Sequence, residues 1–185
     1  MKLVKDLLTD SANLKQKVSQ DDNFALSISN AFLKIKNSLT NGGTIYSCGN
    51  GGSACDAMHL TEELVARFKR ERPGMRAMHF MDASTLTCWS NDYDYKGAFE
   101  RQAQTFCTSK DVLIGISTSG NSDNIMRAIK AAKEKGATTV GLLGKGGGKI
   151  APECDVSIIV PSEVTERIQE VHILVIHILC ELLES

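Results

Sequence analysis

At 185 residues, without low-complexity sequence, the chain has the length of one ordinary domain with a sizeable core. A formal net charge of −1 excludes the basic footprint of a nucleic-acid binder, and no apolar run reaches the roughly 18 residues of a membrane span. Six cysteines with no Cys-x-x-Cys pairing read as reduced core or near-core thiols of a cytoplasmic protein, and the charged start Met1-Lys-Leu-Val-Lys-Asp does not read as a signal peptide.

Leu3, Leu7, Leu8, Leu14 and Val18 recur at mostly helical spacing, and so do Phe24, Ile28, Phe32, Ile35 and Leu39 before Asn41-Gly42-Gly43. Two helices thus precede the first strand. One small domain does not need both to cover its sheet, so residues 1–40 are expected to pack against another copy of the chain. From Thr44 the pattern turns to strand, glycine loop and helix: a strand over 44–48, the loop Gly49-Asn50-Gly51-Gly52-Ser53, and a helix over 52–69. That helix stops at the basic stretch Lys69-Arg-Glu-Arg-Pro73. Further strands are predicted over 75–81, 111–117, 138–143 and 156–160. Two short helices broken near Asn91-Asp92, a helix over 123–135 and a long C-terminal helix over 163–184 lie between or after them. Strands alternating with helices predict a three-layer α/β/α fold with a five-stranded, mainly parallel sheet and right-handed crossovers.

Ligands of open α/β sheets bind beyond the carboxyl ends of the strands. Two loops belong there. Ser117-Thr-Ser-Gly-Asn-Ser122 places four hydroxyls between a strand and a helix N-terminus, which suits a phosphate monoester without a lysine. A plain capping turn needs only one such residue. No Gly-Lys-Ser/Thr is present, so nothing implies a nucleoside triphosphate. The glycine loop at 49–53 opens onto the same edge, and together the two loops predict a cleft for a small phosphorylated, hydroxyl-rich ligand. The glycine run 144–148 lacks hydroxyls and reads as a flexible turn. His59 and Glu63 share a helix face about 6 Å apart along the axis. As a pair they are either surface polarity or half of a reactive or metal-holding site. Gln169, His172 and His177 stand in an otherwise aliphatic helix. A lone histidine there is a hydrogen-bonded core residue or a ligand.

Taken together, Ser-Cys-Gly-Asn-Gly-Gly-Ser at 47–53, Cys-Asp-Ala-Met-His at 55–59 with Glu62-Glu63, Asn91-Asp92, Gly-Ile-Ser-Thr-Ser-Gly-Asn-Ser at 115–122, Arg-Ile-Gln-Glu at 167–170 and Val-Ile-His at 175–177 resemble the sugar isomerase (SIS) domain family, and within it the bacterial phosphoheptose isomerases. The likeness runs from about residue 20 to the C-terminus, so residues 41–185 correspond to the phosphosugar-binding domain. The resemblance implies a homotetramer that converts sedoheptulose 7-phosphate into D-glycero-D-manno-heptose 7-phosphate, the first step of ADP-heptose supply for lipopolysaccharide. It implies zinc held by His59, Glu63, Gln169 and His177. It implies substrate contacts at Asn50, Gly51, Gly52, Asn91, Asp92, Ser117, Thr118, Ser119 and Ser122, with Glu63 and Gln169 touching the sugar. Glu166 stands where the family often has Asp.

Aldose–ketose isomerisation passes a proton between adjacent carbons through an ene-diol, so it needs a base, a partner for the oxygen protons and stabilisation of developing charge. Glu63 is the candidate base and His177 its acid/base partner. A carboxylate held tightly by zinc is a poorer base, so Glu63 either binds through one oxygen or detaches. Gln169 and His177 lie eight residues apart, about 12 Å along an unbroken helix. Metal bonds are only about 2.0–2.2 Å long. One straight helix therefore hardly delivers both to one ion, which predicts a site shared between subunits. The rival reading is a non-catalytic phosphosugar-sensing or replication-associated SIS module, which need not keep a base or ligands. A third is an isomerase of another phosphosugar.

Overall fold

A computed structural model describes residues 1–185. Helices α1 (Lys2–Ser19) and α2 (Asp22–Thr40) lead into β1 (Ile45–Gly49) and α3 (Gly52–Val65). Then follow β2 (Ala77–His79), α4 (Ala83–Asp92), a 3-10 turn (Tyr95–Gly97), α5 (Ala98–Phe106), β3 (Val112–Ser117) and α6 (Asp123–Glu134). The chain ends with β4 (Thr138–Leu143), two further 3-10 turns, β5 (Val156–Ile159) and α7 (Thr165–Leu183). The strand order is β2-β1-β3-β4-β5, and every pairing is parallel. Buried parallel strands read as continuous apolar runs, and Val112–Ser117 is buried at each position.

Alternation along the strands builds two cores. Val112, Ile114 and Ile116 face α2, α3 and α7, where they meet Ile35, Leu60, Ile168 and Val175. Leu113 faces α5 and α6 with Phe99, Ile125 and Ile129. Gly115 lies beneath α6, where a Cβ would meet Ile125 Cγ2 at 2.8 Å. The two N-terminal helices differ in how much they bury, in line with the expectation that one domain does not need both. α2 buries Phe24, Ile28, Ala31 and Ile35 in the first core, where it packs on β5 and α7 and covers the part of the sheet face that α3 and α7 leave open. α1 buries Val18 alone and leaves Leu3, Val4, Leu7 and Leu8 exposed.

The chain goes from β1 outward to β2, then returns to the other side of β1 for β3. That reversal parts the loops after β1 and β3 and opens a crevice at their carboxyl ends. All six cysteines are free thiols. Burial pushes Cys107, Cys154 and Cys180 to about 12, so they stay protonated. Cys55 and Cys88 correct the near-core reading: both sit on outward faces of their helices and are exposed.

Candidate active site

The hydroxyl-rich loop lies where β3 passes into α6. Ser122 occupies the N-cap position of α6, yet its side chain makes no capping bond. Its Oγ lies 3.1 Å from Ser117 Oγ, which in turn lies 3.5 Å from Ser119 Oγ. The hydroxyls thus gather at the mouth of α6, whose first-turn N–H groups lack intrahelical acceptors, and hydroxyls with free N–H groups form an anion cradle. The loop is rigid by construction. Gly120 has φ +62°, and a Cβ there would strike the carbonyl of Gly147. Ile150 N–H donates to Gly120 O at 2.9 Å. The glycine run 144–148 is therefore a close-fitting buttress of the serine loop, correcting its reading as a flexible turn. The physical reason is that Gly146, Gly147 and Gly148 all have positive φ and backbone stands against backbone there.

The glycine loop after β1 faces this cradle. Gly51 has φ +57° and precedes α3, and Gly51 and Gly52 are both exposed. Asn50 is clamped from two sides. Its Nδ2 donates to Asn124 Oδ1 at 3.0 Å, and its Oδ1 accepts from Asn124 Nδ2 at 2.8 Å and from Tyr95 Oη at 2.7 Å. Tyr95 and Asn124 escape sequence reading. Asn124 carries a faint signal, a second polar residue just inside a helix N-terminus, and Tyr95 carries none.

At the far end of α3 stand the candidate reactive groups. His59 Nε2 lies 3.1 Å from Glu63 Oε1 and 3.4 Å from His177 Nε2. The three ligand atoms all fall within 4.8 Å of one another. A tetrahedral zinc with bonds of about 2.0–2.1 Å spaces its ligands about 3.3 Å apart, and two imidazoles with a carboxylate form a common zinc donor set with an open position. The residues present fit the metal. Phe68 stacks on His177 with ring centroids 5.7 Å apart. Asp56, one turn before His59, keeps a buried Oδ2 with no hydrogen-bond partner, and burial raises its pKa to about 6 against the opposing pull of His59.

α7 is one unbroken helix, and it does not bring Gln169 to this group. The Gln169 amide packs against Gly52, where a Cβ would collide with it. Gly52 precedes His59 by seven residues, about 10 Å along α3. α3 and α7 therefore run side by side in the same direction, with Gln169 at the glycine loop and His177 at the carboxylate. The core-histidine reading belongs to His172, which is fully buried and bonds Leu143 O through Nε2 at 3.1 Å. Asn91 and Asp92 end α4 and are exposed, bonded to each other at 2.9 Å. Glu166 is exposed in the first turn of α7.

A profile of the SIS domain matches residues 9–144. Phosphoheptose isomerase of Vibrio cholerae serotype O1 is 48% identical over 184 residues, covering 99% of this chain and 96% of that protein. The structure of phosphoheptose isomerase from Neisseria gonorrhoeae superposes with a TM-score of 0.93 at 37% identity, covering 100% of this chain and 98% of that one. That of a phosphoheptose isomerase from Francisella tularensis gives 0.94 at 30% identity, covering 98% and 96%.

Proposed function

Because the chain belongs to the SIS domain family and, within it, to the phosphoheptose isomerases, we infer that it is an aldose–ketose isomerase acting on sedoheptulose 7-phosphate to give D-glycero-D-manno-heptose 7-phosphate. The observation that carries this reading is that the chain holds both the close group His59, Glu63 and His177 and a gathered hydroxyl loop after β3. A phosphate-binding regulator needs the loop alone.

Ser117, Thr118, Ser119 and Ser122, with the first-turn amides of α6, hold the phosphate. Asn50, Gly51 and Gly52 hold the sugar chain close to the sheet edge, and Asn91 and Asp92 reach it from α4. Glu63 removes the proton from C1 of the ketose and returns it at C2, which converts the ketose to the aldose through the ene-diol. His177 gives a proton to the oxygen at C2 and takes one from the oxygen at C1. His59, Glu63 and His177 would hold zinc, with Gln169 of a neighbouring subunit as fourth ligand and sugar contact. Zinc, when bound, polarises the sugar oxygens and stabilises developing negative charge. The assembly this requires is a homo-oligomer, a tetramer by the family's habit, using residues 1–40 and α7 as packing surfaces. The compartment is the cytoplasm, where phosphosugars are made and thiols stay reduced. The product feeds heptose supply for lipopolysaccharide.

The test is isomerisation of sedoheptulose 7-phosphate, run before and after removal of metal by a chelator. Formation of the aldose, lost on chelation and restored by zinc, supports the reading. No product with metal-replete protein would move it to a binding module.

A further inference from the structure

The basic stretch after α3 has no role in the chemistry above, yet a largely buried ion pair holds it. Arg72 and Glu184 keep only 12% and 3% of their side-chain surface exposed. Arg72 Nε donates to Glu184 Oε1 at 2.9 Å, and its two terminal nitrogens donate to the carbonyls of Leu64 at 2.9 Å and Glu63 at 2.8 Å. The guanidinium thereby caps the last carbonyls of α3 and faces the negative end of its dipole. The Glu184 carboxylate also accepts the backbone N–H groups of Phe68 at 3.1 Å, Lys69 at 2.9 Å and Arg70 at 2.9 Å. By contrast the adjacent Lys69–Glu181 pair is more than half exposed on both sides, the kind of surface pair that contributes little.

What the pair joins is the active site. α3 supplies His59 and Glu63, and α7 supplies His177. Arg72 binds the main chain of Glu63 itself and ties it to the residue just past the end of α7. The segment so fixed presents Phe68, whose ring lies against His177 with an interplanar angle of 25°. The only protein hydrogen bond of the His177 side chain goes to His59. Its ring orientation therefore depends on packing, and Phe68 supplies that packing.

We propose that Arg72 and Glu184 are positioning residues of the isomerase site, locking the end of α3 to the end of α7 and, through Phe68, setting the plane of the His177 imidazole toward His59 and Glu63. This rests on the reading of Glu63 and His177 as reacting, metal-holding groups. Misplacement by about 1 Å costs a reaction on the order of a hundredfold.

The experiment compares Arg72→Met, Glu184→Gln, Phe68→Leu and Phe68→Tyr. It measures kcat and KM for sedoheptulose 7-phosphate, zinc affinity by competition with a chromogenic chelator, and Tm. Asp155→Asn is the control: its carboxylate holds Thr139 where β4 and β5 begin and bonds none of His59, Glu63, His177, Phe68, Arg72 or Glu184, so it lowers Tm without touching the site. Arg72→Met and Glu184→Gln are expected to lower kcat and zinc affinity by about ten- to a hundredfold, with KM changed by less than about twofold. Phe68→Leu follows them, Phe68→Tyr restores both, and Asp155→Asn keeps kcat. Phe68→Leu leaves the ion pair intact, so it carries the test if Arg72→Met does not fold. Clasp variants that match Asp155→Asn in kcat and zinc affinity at equal loss of Tm overturn the proposal. Glu63→Gln and His177→Gln are assayed beside them. If these retain activity, the reading of the site itself fails; if they are dead while Arg72→Met and Phe68→Leu turn over normally, only the clasp fails.

Discussion

Glu63 is the side chain on which the proposed chemistry turns, and its replacement by Gln separates binding from proton transfer. The amide keeps the size and an oxygen toward His59 but cannot accept a carbon-bound proton. Glu63→Gln is expected to lower kcat by about 10²–10⁴-fold, while calorimetry still detects sedoheptulose 7-phosphate binding through the serine loop. Full turnover in that variant removes Glu63 from the base role. Two histidines on α7 show what a sequence can and cannot tell at this scale. His172 and His177 lie in the same aliphatic stretch, and only the fold decides which faces the sheet. His172 does, and burial lowers its pKa from the ordinary 6.5 to about 4, with its bond to Leu143 O pulling the other way. The folded chain thus holds His172 neutral, while an unfolded chain protonates it below about 6.5. Its contribution to stability is complete above that pH and is lost progressively as pH falls toward about 4, on the order of 3 kcal/mol in all. Denaturation midpoints measured from pH 7.5 down to 4.5 at fixed protein concentration should therefore fall more steeply for the wild-type chain than for His172→Gln. Equal slopes would show that the imidazole does not stay neutral.

Elements that feel only their own periodicity were legible: the strand runs and the helices α2, α6 and α7 fall where spacing and caps place them. Elements shaped by distant partners were not. The predicted strand 75–81 shrinks to Ala77–His79 because β2 is an edge strand with a single neighbour. The helix predicted over 52–69 stops at Val65. There Arg72 takes the last carbonyls, and a partner many residues away in sequence leaves no mark on the local pattern. The glycine run 144–148 is a sharper case. Its composition matches a flexible turn, whereas its backbone is fitted against Gly120 and supports the serine loop. A Cβ at Gly147 would meet Ala151 Cβ at 2.6 Å and Ile159 Cδ1 at 2.8 Å, at a φ of +85°. Gly147→Ala is expected to push this turn against the loop proposed to hold the phosphate. KM for the phosphosugar should rise by about tenfold, and inhibition by inorganic phosphate should weaken in parallel, while kcat at saturation changes by less than about threefold. An unchanged phosphate inhibition constant would separate the two loops functionally.

Across the whole molecule, one chain supplies three of the proposed ligands and turns the fourth toward its own glycine loop. The same chain leaves apolar surface uncovered: Leu3, Val4, Leu7 and Leu8 on α1, and Leu26 and Leu33 on α2, are each about half or more exposed. An apolar groove lined by Val18, Phe24, Ile28, Leu174, Ile178 and Leu182 runs between α1, α2 and α7. Exposed apolar surface of this extent suits the proposed oligomer, in which Gln169 of another copy would complete the His59–Glu63–His177 group. Mixing two inactive variants tests this sharing directly. In Gln169→Ala the chain keeps its histidines, and in His177→Ala it keeps its amide. If each site draws Gln169 from one subunit and His177 from another, random reassembly makes about a quarter of sites intact, and about a quarter of wild-type activity should return. Each variant alone should remain inactive at the same concentration. If both side chains serve a site within one chain, no combination of the two variants contains an intact site, and the mixture should be as inactive as its parts. Denaturing and refolding the variants together, with the native mass checked by light scattering against the 20.1 kDa chain, ensures that subunits have exchanged. Recovered activity in a species of tetrameric mass then assigns the fourth ligand to the neighbour.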